Sequence, residues 1–560
     1  MSSLQGVVLG AEATLRVHDA QLVVHCEQTD IVNIPVELVL STELSVANGQ
    51  TIATIHFLAP SAKPGVSCAC VARRGPGKIY KLGREQWRKR SSDPQMARLE
   101  LGSVQVRMPA AQQPAAAQWL DELNSLAYPY GPARRRILVV CNPVGGQGFG
   151  KRALRKSVLP ILEAAGCELT TILTKKRRDA FVAACDINVQ DYDALVCVGG
   201  DGTMHEIVNG LAARDDAVDA LHLPLVPVPC GSGNGMFVSL HGATTLNVAI
   251  ACLSALKGRG HAQELCVVTQ DAALFPEKET IYPIRGTGEG GKAYVQYYSF
   301  LSQAIGLMAD IDLGTEHLRF LGDLRFSLSY LFGAALNKKC DIDVEVFLGS
   351  RGGTNKARMR ARALSEAPSA VDGMTRPDNV RRLKYGSVLD AIERVAKPLH
   401  LADASEGQPN AQEEAVAGWQ QVPVAVSSLY LGKMPYVARS LMAFPYALPS
   451  DGAMDILIQK QNSTTLQKVS SLLDGEAGNH VFNPSIRYFK VEACRVTPKA
   501  KRTHHKGYLS IDGERVPYAP FQVEVSPLSL QLLSLDDEEW KAPILHPPAV
   551  REHEARRPSK

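Results

Sequence analysis

Three glycine-rich segments hold the residues of this 560-residue chain most able to do chemistry: Asn142-Pro-Val-Gly-Gly-Gln-Gly-Phe-Gly150, Gly199-Gly-Asp-Gly-Thr203 and Gly231-Ser-Gly-Asn-Gly235. Glycine lets a backbone approach a phosphate closely, and a helix that starts just after such a turn directs unpaired N–H groups at the anion. One of these turns alone reads as ordinary punctuation; three between residues 142 and 235 are hard to explain that way. Asp201 is the unusual member, because a carboxylate in a turn suited to anions would repel a phosphate that was its only neighbour. Two readings stand. It caps the helix that starts near Thr203, or it lies beside a substrate hydroxyl and accepts the proton as a phosphoryl group is transferred. The transition state of that transfer is loose, so positioning and charge neutralisation do most of the work and an ordinary aspartate suffices.

The elements that must hold these turns are legible as alternating strands and helices. Continuous apolar runs at 137–141 (ILVVC), 194–198 (ALVCV) and 224–229 (PLVPVP), with a further strand near 168–173, read as buried parallel strands. Helices are expected from about Lys151 to a stop at Gly166, near 179–184 and over 204–211. Strands separated by helix-length segments imply a doubly wound, mostly parallel sheet, in which ligands bind outside the carboxyl ends of the strands.

Residues 1–130 read as short strands with no recognisable chemistry, for example QLVVHC at 21–26, and PAAQQPAAA at 109–117 reads as a linker or loose helix start. From residue 266 longer alternating strands suggest an antiparallel, β-sandwich-like second domain extending to 535, broken by a flexible insertion at 349–420. A charged tail follows at 536–560. The expected division is therefore 1–130, 131–265, 266–535 and 536–560.

Composition narrows the class. Hydrophobic residues make up 45% and charged residues 21%, ordinary for a globular chain, and a net charge of +4 is smaller than the basic excess that a protein coated with nucleic acid usually carries. Twelve cysteines without a C-x-x-C pair suit neither a disulfide scaffold nor a zinc site and point to a reducing compartment. The opening segment lacks the features of a secretory signal, and no apolar run reaches the length of a membrane span. A cytoplasmic location with peripheral contact to intracellular membranes is expected.

The segments NPVGGQGFGK, VGGDGTMHEIVNGL, PCGSGNGMFVS, GLMADIDLGTEHLRFLGDLRFSL and GYLSIDGERVPYAPFQVEV together resemble the lipid kinases related to diacylglycerol kinase, and most of all the sphingosine (sphingoid long-chain-base) kinases of fungal type. The resemblance covers roughly 134–339 and 423–525. It implies an ATP- and Mg²⁺-dependent enzyme that phosphorylates the primary hydroxyl of a sphingoid base, with a diacylglycerol or ceramide kinase as the alternative.

Carried over residue by residue, it implies that Asn142, Pro143 and Val144 touch ATP, with Thr174, Lys175, Lys176, Arg177 and Arg178 as a second nucleotide loop. Gly199, Gly200 and Gly202 form the catalytic turn around Asp201, the proton acceptor, and Glu206 follows one helical turn later on the nucleotide side. Gly231, Ser232 and Gly233 continue the phosphate cradle, Arg319 and Arg325 bind phosphate, and Asp512, Gly513 and Glu514 form an acidic turn near the nucleotide and its Mg²⁺. Ser302 and Asp312 hold the lipid's polar head, Asp312 pairing with the ammonium; direct metal ligands are not assigned. Val144 departs from the family, standing where many relatives have a basic residue.

The residues themselves agree in part. Asp310 and Asp312 follow the apolar stretch 304–309, which suits a cationic amphiphile, although charges at an element end look the same. The apolar run 324–336 fits either a core helix or the wall of an acyl tunnel. His205 reads as packing or orienting. The basic loop 498–506 reads as a solvated hairpin loop, with contact to anionic lipid as the alternative. Ser450-Asp451-Gly452 reads as a structural turn, a metal-linked role for Asp451 being the other reading. Homodimerisation is left open.

Overall fold

A computed structural model describes residues 3–8, 11–26, 29–60, 80–82, 87, 99–242, 246–275, 284–288, 291–314, 340–365, 383–385, 387–391, 397–399, 418–499 and 507–535. Arg319, Arg325, the apolar run 324–336, the tail 536–560 and all but the first two residues of the basic loop 498–506 lie outside them.

The nucleotide-domain strands are β1 (Arg136–Cys141), β2 (Glu168–Leu173), β3 (Ala194–Gly199) and β4 (Leu225–Pro229). They pair in parallel in the order β2-β1-β3-β4. Alternate residues of β1 serve opposite faces: Ile137, Val139 and Cys141 join one apolar cluster, and Leu138 and Val140 join another. Burial on both faces is why the strand reads as an unbroken apolar run. Helix α1 (Gln113–Ala127) precedes the sheet, so of the two readings of 109–117 the helix start holds for 113–117, after a strand end at Pro109 and a 3-10 turn at Ala110–Gln112.

The chain after β1 turns helical at Gly145, six residues before the expected start. Helix α2 (Gly145–Ala153) runs through a π-wound segment, Leu154–Val158, into α3 (Leu159–Ala164), and Gly166 ends it with φ +74°. The remaining helices that frame the site are α4 (Asp179–Asp186), α5 (Asp201–Ala213), α6 (Gly235–His241), α7 (Val248–Lys257) and α8 (Leu307–Gly314).

The antiparallel half grows from the same sheet. Strand β16 (Phe521–Ser534) pairs in parallel with β4 at its end and antiparallel with β5 (Arg259–Asp271) and β13 (Ala493–Pro498), giving a 12-stranded sheet among the described residues. Strand β6 (Ala293–Ser299) pairs with β5, and β8 (Ile342–Phe347) with β13. A second sheet of six strands contains β7 (Ser302–Gly306), β10 (Val426–Gly432), β11 (Met454–Lys460), β12 (Ile486–Val491), β14 (Leu509–Ile511) and β15 (Glu514–Val516). Val268, Val295 and Tyr297 of the large sheet share an apolar core with Leu429, Ile456 and Phe489 of the small one, a sheet-on-sheet sandwich.

The insertion expected to be flexible is partly built into this sandwich. Residues 356–365 are helical, and the amides of Lys384 and Tyr385 donate to the Glu524 carboxylate at 2.6 and 3.1 Å. Lys384 Nζ lies 2.7 Å from Glu492, and Tyr385 stacks 4.4 Å from Phe347. Strand β9 (Trp419–Gln421) pairs with β8, and the Arg495 guanidinium lies 4.0 Å from the centroid of the Trp419 ring. Composition hid these anchors because single aromatic and charged residues, not an apolar run, make them.

Asp451, offered above as a turn residue or a metal-linked one, is a buried structural ion. Its carboxylate meets Lys433 Nζ at 2.7 Å and Lys490 Nζ at 2.9 Å. Burial alone would raise its pKa, but the two ammonium groups outweigh that and hold it well below the usual carboxylate range.

Among the described residues the N-terminal strands form an eight-stranded sheet from residue 4 to residue 109, and this sheet is not an appendage. Leu38, Val39 and Leu40, with Trp119, Leu120 and Leu123 of α1, belong to the same apolar cluster as Val158, Ile161 and Leu162 behind β1. Lys257, buried at the end of α7, donates to the carbonyls of Glu37 (2.8 Å) and Val39 and lies 4.4 Å from the centroid of the Tyr128 ring. The Tyr128 hydroxyl donates to the Leu40 carbonyl. Because one core serves both units, Leu123→Ala, which costs about 2–5 kcal/mol at a fully buried leucine, is expected to lower the melting of the N-terminal sheet and of the nucleotide domain together. Two separate transitions in calorimetry, only one of them shifted, would contradict a shared core.

Candidate active site

Strand register brings the three turns to one level. Cys141 on β1 pairs with Val198 on β3, and Gly199 on β3 pairs with Pro229 on β4, so the chain leaves all three strands side by side at their carboxyl ends. The second and third turns then touch. A β-carbon on Gly231 would lie 2.4 Å from the Gly200 Cα, and one on Gly200 would lie 2.8 Å from the Gly231 Cα, so any side chain at either position would force the turns apart. Asn142 ties the first turn to the second: its Oδ1 accepts from the Val144 amide at 3.2 Å, and its Nδ2 lies 3.4 Å from the Thr203 hydroxyl. Pro143 follows it in the turn, and Val144, the departure from the family, is 77% exposed at the N-cap of α2.

Asp201 is the first residue of α5, and Gly200, not the aspartate, is its N-cap. Its carboxylate spans to the third turn instead. Oδ2 accepts from the Gly235 amide at 3.0 Å and Oδ1 from the Met236 amide at 3.2 Å, at the start of α6. A β-carbon on Gly233 would come within 3.1 Å of Oδ2, so the turn closes over the carboxylate on that side too. Burial pushes the Asp201 pKa up to about 6, against the two amides that lower it and with the Asp512 charge adding to the rise. Neither sequence reading foresaw a cap on a different helix, because only tertiary packing sets α6 against the start of α5.

Glu206 organises the loop 174–178, which the resemblance assigns to the nucleotide. Its oxygens accept from the amides of Arg178 (3.0 Å) and Ala180 (3.2 Å), fixing the start of α4, and burial raises its pKa, with the Glu514 charge adding to the rise. Arg178 adopts φ +76° to make that turn, while the Lys175 and Lys176 amides donate to Asp179 at 2.7 and 3.0 Å. Thr174 is buried, its amide donating to the Cys141 carbonyl at 2.9 Å. Lys175, Lys176 and Arg177 therefore stand exposed on a loop pinned at both ends. Arg177 reaches across to Glu514 at 2.6 Å, and Glu514 Oε1 lies 2.9 Å from where a β-carbon on Gly202 would sit. Glu514 thus lies over the turn that holds Asp201.

Asp512 behaves differently from that reading. Its side chain has no exposure, and both oxygens are occupied by the Ser299 hydroxyl (2.6 Å), the amides of Phe300 (3.2 Å), Leu301 (3.0 Å) and Ser302 (2.9 Å), and His205 Nδ1 (2.9 Å). A carboxylate so fully engaged does not face a nucleotide or its metal. Gly513, with φ +84°, completes the turn that points Asp512 inward and Glu514 outward.

Ser302, which the resemblance assigns to the lipid's polar head, is buried at the start of β7 with its hydroxyl 3.4 Å from that of Tyr430. Asp310 and Asp312 both belong to α8, reached directly from β7. Ser232 lies in the third turn, where Asn234, at φ +53°, holds the Gly231 amide (2.8 Å) and carbonyl (2.9 Å) with its own side chain. Sequence reasoning passed over Asn234, Asn209 and Ser299; the asparagine between two glycines was the signal for the first, and the other two carried none.

A family model described as the diacylglycerol kinase catalytic domain matches residues 136–268, and one described as the YegS C-terminal NAD kinase beta sandwich-like domain matches 408–534. Among curated relatives, Sphingoid long chain base kinase 5 of Saccharomyces cerevisiae is 29% identical over 438 residues, covering 73% of this chain and 60% of that protein. Sphingoid long chain base kinase 4 of Schizosaccharomyces pombe is 29% identical over 414 residues, covering 73% of this chain and 77% of that protein. Human Sphingosine kinase 1 is 28% identical over 428 residues, covering 74% and 96%. The chain thus spans less than two thirds of the budding-yeast relative.

The contact between the second and third turns is testable through the nucleotide. Gly231→Ala is expected to weaken ATP binding at least about tenfold, or 1.4 kcal/mol, in a fluorescent-nucleotide titration, because its β-carbon separates the two turns. Unchanged affinity would mean that the cradle does not need their contact.

Proposed function

We propose that the chain transfers the γ-phosphoryl group of ATP to the primary hydroxyl of a sphingoid long-chain base, giving the 1-phosphate; its similarity to sphingoid long chain base kinases and to the diacylglycerol kinase catalytic domain supports this reading. The observation that carries this is the Asp201 carboxylate, desolvated at the junction of two glycine turns and held by the Gly235 and Met236 amides. The carboxylate has about four acceptor directions, and the backbone amides of Gly235, Met236 and Asp201 itself leave one for an incoming hydroxyl. The amides hold the carboxylate in one orientation, and its raised pKa brings it closer to operating pH while leaving it mostly ionised at neutrality.

The phosphates fit the side opposite the lipid. The N-terminus of α2 at Gly145, the touching turns at Gly200 and Gly231, and the cations Lys175, Lys176 and Arg177 supply N–H groups and positive charge. Arg177, paired with Glu514 here, is placed to exchange that carboxylate for phosphate oxygens. Arg319 and Arg325 are proposed on the resemblance alone.

Mg²⁺ would enter with the nucleotide and supply neutralisation of phosphate charge. Among the described residues no group of three or more His, Cys, Asp or Glu side chains converges to hold an ion, so most of its ligands would be phosphate oxygens and water. Glu514, an oxygen donor over the catalytic turn, is the residue suited to complete that shell; Asp512 is not.

Recognition of the base is assigned to α8, with Asp312 pairing with the ammonium and Ser302 near the polar head, and Asp312 is what favours a sphingoid base over neutral diacylglycerol or ceramide. No helix among the described residues is long and apolar enough to cross a membrane, and peripheral contact with intracellular membranes from the cytoplasm is the mode proposed for reaching the lipid.

Radiolabelled-ATP transfer to sphingosine, dihydrosphingosine, phytosphingosine, ceramide and diacylglycerol tests the assignment. Sphingoid bases are expected to be labelled, and labelling of neutral lipids alone would overturn it. Asp201→Asn is expected to lower kcat by about 10²–10⁴-fold, the usual worth of a positioned general base, with the melting temperature preserved. Because the base must be ionised, wild-type kcat/KM is expected to climb tenfold per pH unit up to about 6 and to level off above it. A profile flat down to pH 4 would remove Asp201 from that role. For Asp312→Asn, a raised KM for the base with little change for ATP is expected; an equal loss on a neutral acylglycerol would point away from amine recognition.

A further inference from the structure

The catalytic helix is tied to the lipid-side strand by a knot of buried polar side chains that direct proton or phosphoryl transfer does not require. His205 and Asn209 lie four residues apart on one face of α5, both buried. Asn209 pairs with the backbone of Tyr298 in both senses: its Nδ2 donates to the carbonyl at 2.9 Å, and its Oδ1 accepts the amide at 2.8 Å. Asn209 Nδ2 also approaches His205 Nε2 at 3.3 Å. The two hydrogens of Asn209 Nδ2 are met by the Tyr298 and His205 carbonyls, both at 2.9 Å, and the contact that orients the imidazole is Nδ1–H donating to the Asp512 carboxylate at Oδ2. Asp512 in turn gathers the Ser299 hydroxyl and three successive amides, Phe300 to Ser302, while its own amide donates to the Ser302 carbonyl at 2.8 Å.

The segment gathered by Asp512 reaches the catalytic carboxylate. Leu301 Cδ1 lies 3.0 Å from where a β-carbon on Gly235 would sit, and the Gly235 amide is one of the two donors to Asp201. The same segment opens β7, which leads directly into α8 with Asp310 and Asp312. Asp512 therefore touches the catalytic geometry along two routes: through His205, one helical turn beyond Asp201, and through Leu301, which backs the residue that orients Asp201.

We propose that Asp512 is a positioning residue: through His205 it fastens segment 299–302 to helix α5 and so sets the spacing between the phosphoryl-transfer carboxylate and the lipid-side strand, rather than ligating a nucleotide-bound metal. The effect on turnover rests on the lipid-kinase reading above, whereas the fastening itself does not. A misplacement of about 1 Å at a reacting centre is enough for a loss of about a hundredfold, which is the size of effect to look for. His205 and Asp512 act through one shared contact, so the two single losses are not expected to multiply.

The test uses the full chain as wild type, Asp512→Asn, His205→Ala and the double variant. Steady-state transfer to a sphingoid base in detergent micelles is measured across Mg²⁺ concentrations, with fluorescent-ATP binding and amide hydrogen exchange alongside. The expected result is a kcat loss near a hundredfold in each single variant, with the double variant no worse than the poorer single. Nucleotide affinity and the half-saturating Mg²⁺ concentration should stay within about twofold, and the amides of residues 300–302 should exchange faster in both single variants.

A metal ligand would show itself by a large shift in the Mg²⁺ requirement of Asp512→Asn, or by its recovery with Mn²⁺, and either result overturns the proposal. So do losses that multiply, or turnover in His205→Ala close to wild type. Should Asp512→Asn fail to fold, His205→Ala carries the same readouts. Should wild type transfer nothing to a sphingoid base, the lipid-kinase reading fails, and the hydrogen-exchange arm still decides whether the fastening exists.

Discussion

The contact between the backbones of Gly200 and Gly231 is the constraint from which the rest of the site follows. Two turns that leave neighbouring parallel strands approach each other only because neither carries a β-carbon there. Their approach sets the beginning of α5 against the beginning of α6, and Asp201, the first residue of one, meets the free amides of the other. The carboxylate is thereby placed in low-dielectric surroundings with two donors to hold its direction. That balance lifts its pKa towards neutrality without neutralising it at working pH.

Other charges are arranged around this point according to what each must leave free. Glu206 is spent on the amides that open α4, so the cations before that helix are presented on a fixed loop. Glu514 stays at the surface and meets Arg177, a pair that bridges the nucleotide half and the antiparallel half across the catalytic turn. Asp512, two residues earlier, is turned inward and consumed by five donors. Adjacent acidic residues in one short turn therefore do opposite work, and the left-handed backbone of Asp512 and Gly513 makes that division possible.

The two halves are joined through backbone pairing. They share one sheet: β16, near the end of the described chain, lies beside β4 of the nucleotide half and β5 and β13 of the antiparallel half. The N-terminal sheet joins this arrangement from behind, its core continuous with that of the parallel half through α1 and Lys257.

Much of this was legible in the residues. The apolar runs of β1, β3 and β4, the glycine turns that follow them and the stop at Gly166 are local signals, set by burial on both faces and by backbone conformations that favour glycine. They were enough to place three turns and Asp201 at one edge of a parallel sheet. What escaped was every relation between residues far apart in the chain: the cap that Asp201 gives to α6, the inward turn of Asp512, the sheet shared by both halves, and the anchors that Lys384, Tyr385 and Trp419 give to a segment of disordered composition. The chain by itself determined which side chains and which flexible backbone positions were available. Only the tertiary structure decided which carboxylates would be buried and satisfied and which would face the cleft, because desolvation and hydrogen-bond partners are properties of packing and not of spacing along a sequence.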